Sequence, residues 1–134
     1  MKQMTFCLVA AVALCGCGGP KSYDEINDSK VYFEYNKADI SKEAQSTLTD
    51  VSHYMKRHEG SKVALYGNAD ARGTGEYNKA LGSWRAGNAA HVIMNDGVEP
   101  NRVRTVSYGK DKPAVKGTGE DVWKFNRNVT IVLE

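Results

Sequence analysis

Residues 67–85 read GNADARGTGEYNKALGSWR, and the fold turns on what that stretch becomes. Gly67, Gly73, Gly75 and Asp70 crowd its first half, the mark of a loop with demanding backbone angles, while its second half carries apolar residues at helical spacing. A loop therefore leads into a helix. Lys62 to Tyr66, just before it, alternates as a strand does, so Asp70 falls in the connection after a strand and Arg85 in the helix beyond. Connections at strand ends often hold ligands. An acid and an arginine in one glycine-rich pocket suit a zwitterion, the carboxylate taking an ammonium and the guanidinium forking onto a carboxylate. The plainer alternative makes Asp70 an Asx-turn residue and Arg85 a solvated helix charge, and the flanking chain has to decide.

On the N-terminal side, Val31, Phe33 and Tyr35 alternate with Tyr32 and Glu34, which predicts a strand with one buried face. A turn around Asn36 to Asp39 follows, and Ser41 is placed to cap a helix whose Ala44, Leu48, Val51 and Met55 recur at steps of four, three and four. Gly60 ends it. On the C-terminal side the central loop feeds a helix from about Tyr77 to Asn95, with Leu81, Trp84, Val92 and Ile93 as core candidates and Gly97 and Pro100 as stops. Val103 to Tyr108 reads as a third strand, Gly109 to Gly119 as a surface loop, Glu120 to Asn126 as a helical turn and Asn128 to Leu133 as the last strand. This order is an α/β (α+β sandwich) fold, βαβαβ(α)β, with helices packed on one mixed four-stranded sheet. Right-handed crossovers predict that the first three strands run at least partly parallel and that the fourth opposes them.

A chain of 134 residues, 41% hydrophobic and 25% charged, suits one globular domain plus a short appendage. The net charge of +2, with acids and bases evenly mixed, argues against nucleic acid as a partner. The appendage is at the N-terminus. Lys2 precedes an apolar run from Phe6 to Leu14 and then small residues, a signal-peptide pattern too short to span a bilayer comfortably. All three cysteines, Cys7, Cys15 and Cys17, lie there, so the body of the chain has no disulfide to use. Leu14-Cys15-Gly16-Cys17 resembles the bacterial lipobox, which implies cleavage before Cys17, diacylglycerol on its thiol and an acylated amino terminus. Gly18 in place of Asp implies export to the outer membrane. Residues 1–16 are thus the expected signal peptide, 17–29 the lipidated end and a tether, and 30–134 the folded domain. Gly18 to Ser29 stretches at most about 40 Å.

His53, His58 and His91 lack the spacing of a metal site. Asp70 and Glu76 lack the dry, facing arrangement that a glycosidase acid pair requires. The sequence assigns no catalytic residue, no cofactor and no metal.

Four stretches resemble one family. VYFEYNKADI (31–40), GNADARGTGEYNKALGSWRA (67–86), VSYGKDKPAV (106–115) and the Asn126-Arg127 pair are similar, in order and over Val31 to Leu133, to the OmpA-like peptidoglycan-binding domain, most closely its peptidoglycan-associated lipoprotein (Pal) branch. The resemblance implies non-covalent capture of the peptidoglycan peptide stem through meso-diaminopimelate. Asp70 and Arg85 then hold the ammonium and carboxylate of its D centre, and Tyr35, Asn36, Asn78, Leu81 and Arg127 play secondary parts, Arg127 as a brace. It also implies an outer-membrane lipoprotein with its domain in the periplasm, a role in envelope integrity and cell division, and a Tol-system periplasmic protein as a further partner. Asn68, Asn36, Tyr35 and Asn128 depart from the family pattern, where His, Asp, Phe and a basic residue are usual. Asn36 and Asn68 keep open a second reading, an interaction module for a protein partner with wall binding weak or lost.

Overall fold

The computed structural model describes residues 19–134. Its elements are α1 (Tyr23–Ile26), β1 (Ser29–Tyr32), α2 (Lys42–Arg57), β2 (Val63–Asn68), α3 (Gly75–Asn95), a 3-10 turn (Pro100–Arg102), β3 (Val103–Gly109), α4 (Glu120–Asn126) and β4 (Asn128–Leu133). The four strands form one mixed sheet in the order β1-β4-β2-β3, with helices packed on it, which is the expected α/β architecture. β1, β2 and β3 share a direction and β4 opposes them. The pairing is less direct than the crossovers suggest, because β4 lies between β1 and β2: Val31 faces Val129, and Leu65 faces Ile131. β4 carries the fully buried Val129 and Ile131, so the centre of the sheet, where both its edges are paired, suits it better than a rim.

One face of the sheet meets α2 and α3. Leu48, Val51 and Met55 of α2 and Ala86, Ala89 and Ile93 of α3 pack with Val63, Leu65, Val129 and Ile131 into a single core. Ser41 caps α2 as its sequence predicts, accepting from the Ala44 N–H at 3.0 Å. The other end of α2 is closed by Arg102, which donates to the carbonyls of Met55 at 2.6 Å and His58 at 3.0 Å.

α3 approaches the sheet closely because two glycines meet. A Cβ built on Gly67 would stand 1.9 Å from the Gly82 carbonyl oxygen, and one on Gly82 would stand 2.3 Å from Ser107 Oγ. Gly67 is therefore required for contact, whereas Gly73, at φ 89°, is the glycine of this stretch that needs an unusual backbone angle. Since the opposing atom at Gly67 is backbone, Gly67→Ala is expected to cost about 3 kcal/mol, read as a lower urea midpoint at unchanged slope. An unchanged midpoint would show that α3 can move away freely.

Three expectations are corrected. The stretch read as a tether contains α1, capped by Ser22 and Glu25, and seats Ile26 in the core at 2% exposure. Folded structure thus begins before Lys30. Tyr35 does not continue the buried face of β1 but is 48% exposed, because the chain leaves the sheet after Tyr32 and turns through Asn36 at φ 59°. Trp84 is not in the core either, at 57% exposure. The inward face of α3 is lined with Gly82, Ala86, Ala89 and Ala90, and Trp84, two residues and so about 200° round the helix from Gly82, falls on the outward side.

Candidate functional site

Asp70 leaves the end of β2 just past an irregularity, where Gly67 pairs with Ser107 but Asn68 pairs with Gly109. Such a bulge re-aims the chain beside a site. The Asp70 carboxylate is only 4% exposed and is fully engaged. Its Oδ1 accepts from the Arg72 N–H at 3.0 Å and from Arg72 Nε at 3.2 Å. Its Oδ2 accepts from Arg72 Nη2 at 2.7 Å and Arg127 Nη1 at 3.4 Å. The Asx-type turn of the plainer sequence reading is present, but it is only part of what Asp70 does.

The other half of that plainer reading fails. Arg85, in the third turn of α3, is completely buried. Its Nε donates to the Lys37 carbonyl at 2.8 Å, its Nη1 to the Asn68 carbonyl at 2.9 Å and its Nη2 to the Glu34 carbonyl at 3.0 Å. Three of five N–H donors are spent on backbone, leaving one on each terminal nitrogen. No carboxylate lies within 4 Å of this guanidinium among the described residues. Burial pulls its pKa down to about 10, with the Asp70 charge opposing and the Arg127 charge adding to the fall. It stays cationic at neutral pH. The Glu34–Lys37 turn and the end of β2 thus supply carbonyl dipoles in place of an ion partner.

Asp70, Arg85, Tyr35, Asn36, Asn78 and Leu81 together line one tight, shallow concavity, so six side chains singled out from the sequence meet at one place. Asn36 accepts from the Tyr77 hydroxyl at 3.1 Å. Asn78, 2% exposed, spends its amide N–H groups on the carbonyls of Arg72 at 2.6 Å and Thr74 at 3.0 Å, and so holds the loop that carries Asp70. Arg127 acts as a brace: Nε donates to the Phe33 carbonyl at 2.9 Å, Nη1 reaches Asp70, and the guanidinium forks onto Glu120 at 3.0 and 2.7 Å. The departures at Asn68 and Asn128 leave the concavity untouched. Their side chains bond each other at 2.9 Å and line a different depression with Tyr66, Tyr108 and Thr130; only the Asn68 carbonyl reaches Arg85. Cys17, the expected lipidation site, lies outside the described residues.

Sequence reasoning overlooked Arg72 and Glu120. The Arg72 guanidinium carbon lies 3.7 Å from the centre of the Tyr35 ring and 4.2 Å from that of Trp123, while Nη2 is 3.8 Å from Glu120. The Asp-x-Arg spacing was available as a signal; the partners some fifty residues later were not. Two acids, Asp70 and Glu120, stand among three arginines, 72, 85 and 127, so the cluster carries one uncompensated positive charge.

Burial pushes the Asp70 carboxyl up, but the hydrogen bonds and charge of Arg72, with the Arg127 hydrogen bond, outweigh it and hold the group below the usual carboxylate range. An acid kept ionised in this way cannot serve as a general acid. Its stabilising contribution is complete above the unfolded value of about 3.9 and is lost as pH falls through the lower folded value. Stability is therefore expected to hold down to about pH 4 and then drop. In Asp70→Asn the drop should be shallower, as read by thermal midpoints from pH 2 to 7; parallel curves for the two proteins would contradict the assignment.

Comparison with known proteins gives the family. Over 100 residues, 75% of this chain and 60% of the relative, the chain is 41% identical to the peptidoglycan-associated lipoprotein of Pseudomonas putida. It thus spans about 60% of the length of that relative. It is 33% identical to the peptidoglycan-associated lipoprotein of Pasteurella multocida, covering 98% of this chain and 99% of the relative. The crystal structure of the peptidoglycan-associated lipoprotein from Burkholderia pseudomallei matches with a TM-score of 0.76 and 34% identity, over 78% of this chain and 89% of that one. With the OmpA family model also matching residues 32–127, which include the candidate-site residues Asp70, Arg85 and Arg127, the chain belongs to the OmpA family.

Proposed function

We propose that this chain is a non-catalytic anchor that binds peptidoglycan by gripping the D centre of meso-diaminopimelate in the peptide stem. The observation that carries this is Arg85, a buried cation with two spare N–H donors and no carboxylate partner among the described residues, lining the same small concavity as the anionic Asp70. A fixed cation beside a fixed anion, unjoined to each other, matches a zwitterion: the ligand carboxylate completes Arg85 and the ligand ammonium meets Asp70. The names of the relatives, which speak of peptidoglycan association and of lipoproteins, support the reading. Two charge-assisted contacts of about 1.5–3 kcal/mol each, less the cost of association, give single-site binding nearer micromolar than nanomolar. Many tethered copies on a polymeric wall make that sufficient.

The test is calorimetric titration of the full chain, solubilised in detergent, with a muropeptide ending in meso-diaminopimelate beside one with lysine at that position. Saturable binding to the first, with at least tenfold preference over the second, is the expected result. Absence of heat with both would overturn the reading.

In this proposal Cys17 carries the lipid that holds the domain to the outer membrane, facing the periplasm. Cys17→Ser is expected to abolish incorporation of labelled palmitate and to shift the protein from the membrane to the soluble fraction. A periplasmic protein of the Tol system is the second proposed partner. A groove lined by the exposed Tyr32 and Phe125 with Glu34, Asp39 and Lys124, adjoining Arg127, favours it, because contiguous aromatics rimmed by charge suit a protein contact.

A further inference from the structure

The anion that the proposed ligand needs is already taken. Arg72 lies side-on against Asp70, Nε to Oδ1 at 3.2 Å and Nη2 to Oδ2 at 2.7 Å, and its guanidinium is held between the rings of Tyr35 and Trp123. With Asp70 at 4% exposure, an incoming ammonium cannot reach it while Arg72 is in place. We propose that Asp70, Tyr35 and Trp123 form a cage for an organic cation, that Arg72 is its resident occupant, and that Arg72 must vacate it before a ligand's primary ammonium can enter. The inference rests on the stem-binding reading for the identity of that ligand, but the cage itself does not.

The arrangement is built for exchange by rotation of one side chain. The backbone around Arg72 is pinned, its N–H to Asp70 and its carbonyl to Asn78 at 2.6 Å, with Lys110 Nζ holding the next carbonyl, that of Gly73, at 2.6 Å. The Arg72 side chain is the looser part, 29% exposed against 4% for Asp70. It also has somewhere to go. Glu120 is 3.8 Å from Nη2 and is 61% exposed, so a guanidinium leaving Asp70 stays paired with a carboxylate already at hand. Arg127 meanwhile remains on Asp70 and Glu120, so the acid is never stripped of its brace. The cage walls suit the exchange because an aromatic face attracts an ammonium as it does a guanidinium. An occupied cage weakens apparent affinity by the fraction of time it is open, which makes Arg72 a determinant of how tightly the site binds without its touching the ligand.

The experiment compares the full chain with Arg72→Ala by calorimetry against the meso-diaminopimelate muropeptide, and separately measures the thermal midpoint of Arg72→Ala with and without methylguanidinium. Tenfold or tighter stem binding in Arg72→Ala is expected, together with a saturable rise in its midpoint with methylguanidinium that is absent from the parent and lost in Arg72→Ala/Trp123→Ala. Equal or weaker stem binding in Arg72→Ala would overturn the exchange, since Arg72 would then be a bystander or a ligand contact. If neither protein binds the stem, the functional reading fails, and methylguanidinium decides the cage: saturable rescue supports it, and none overturns it.

Discussion

Arg85→Ala is expected to cost about 3–5 kcal/mol of folding stability, more than most single substitutions in a domain of this size. The change removes a buried cation, which by itself relieves a desolvation cost. It also strips the guanidinium, now at 2.8–3.0 Å, from the carbonyls of Lys37, Asn68 and Glu34, of which only Glu34 keeps a second donor, the Lys37 N–H at 3.1 Å, and an unsatisfied buried acceptor costs about 1–3 kcal/mol. A cavity the size of the lost side chain adds to the penalty. The net sign is therefore unfavourable, and urea denaturation should show it as a large fall in midpoint. A change within about 0.5 kcal/mol would mean that the released carbonyls find water instead and that Arg85 is not a structural pin. The practical consequence is that alanine here reports on folding before it reports on ligand. Arg85→Lys keeps the charge while losing the planar fork, and is expected to retain more stability than Arg85→Ala yet to weaken stem binding strongly.

The double use of Arg85 explains what could be read from the sequence. Period and caps are local, so α2, α4, β4 and the course of α3 were legible: Ser41 before Ala44, Leu48 and Val51 leaves little choice. Asn78, Leu81 and Arg85 at steps of three and four had to share a helix face, and they do. What the sequence hid depends on distance. Whether the face holding Arg85 is wet or dry is decided by the Gly67–Gly82 contact, and nothing in either glycine announces its partner. Trp84, whose apolar bulk alone suggested the core, falls on the side of α3 opposite Gly82 and Ala86. Likewise Arg72 reads as an ordinary loop cation until Tyr35 and Trp123, from separate parts of the chain, arrive on either side of it. Insertion of β4 between β1 and β2 is a matter of tertiary pairing, which alternation within a strand cannot report.

Asp70→Asn is expected to weaken stem binding at least a hundredfold while preserving the shape of the concavity. The substitution is isosteric, and the Asn oxygen can still accept from the Arg72 N–H, so the turn has a means to survive. What disappears is the charge. Three arginines would then face Glu120 alone, and an arriving ammonium would meet a net repulsive site. Loss of one buried charge-assisted contact accounts for about 3 kcal/mol, or roughly two orders of magnitude in affinity. The assignment of ammonium to Asp70 makes a sharper demand than the size of the loss. If that pairing is real, acetylating the distal amine of the stem should weaken binding to the parent protein about as much as Asp70→Asn weakens binding of the unmodified stem. The two changes together should cost little more than either alone, because both delete the same contact. Additive losses would place the ammonium elsewhere and leave Asp70 as part of the frame. Arg85→Lys supplies the orthogonal arm: its loss should add to that of amine acetylation, since the proposed pose gives the carboxylate to Arg85 and the ammonium to Asp70.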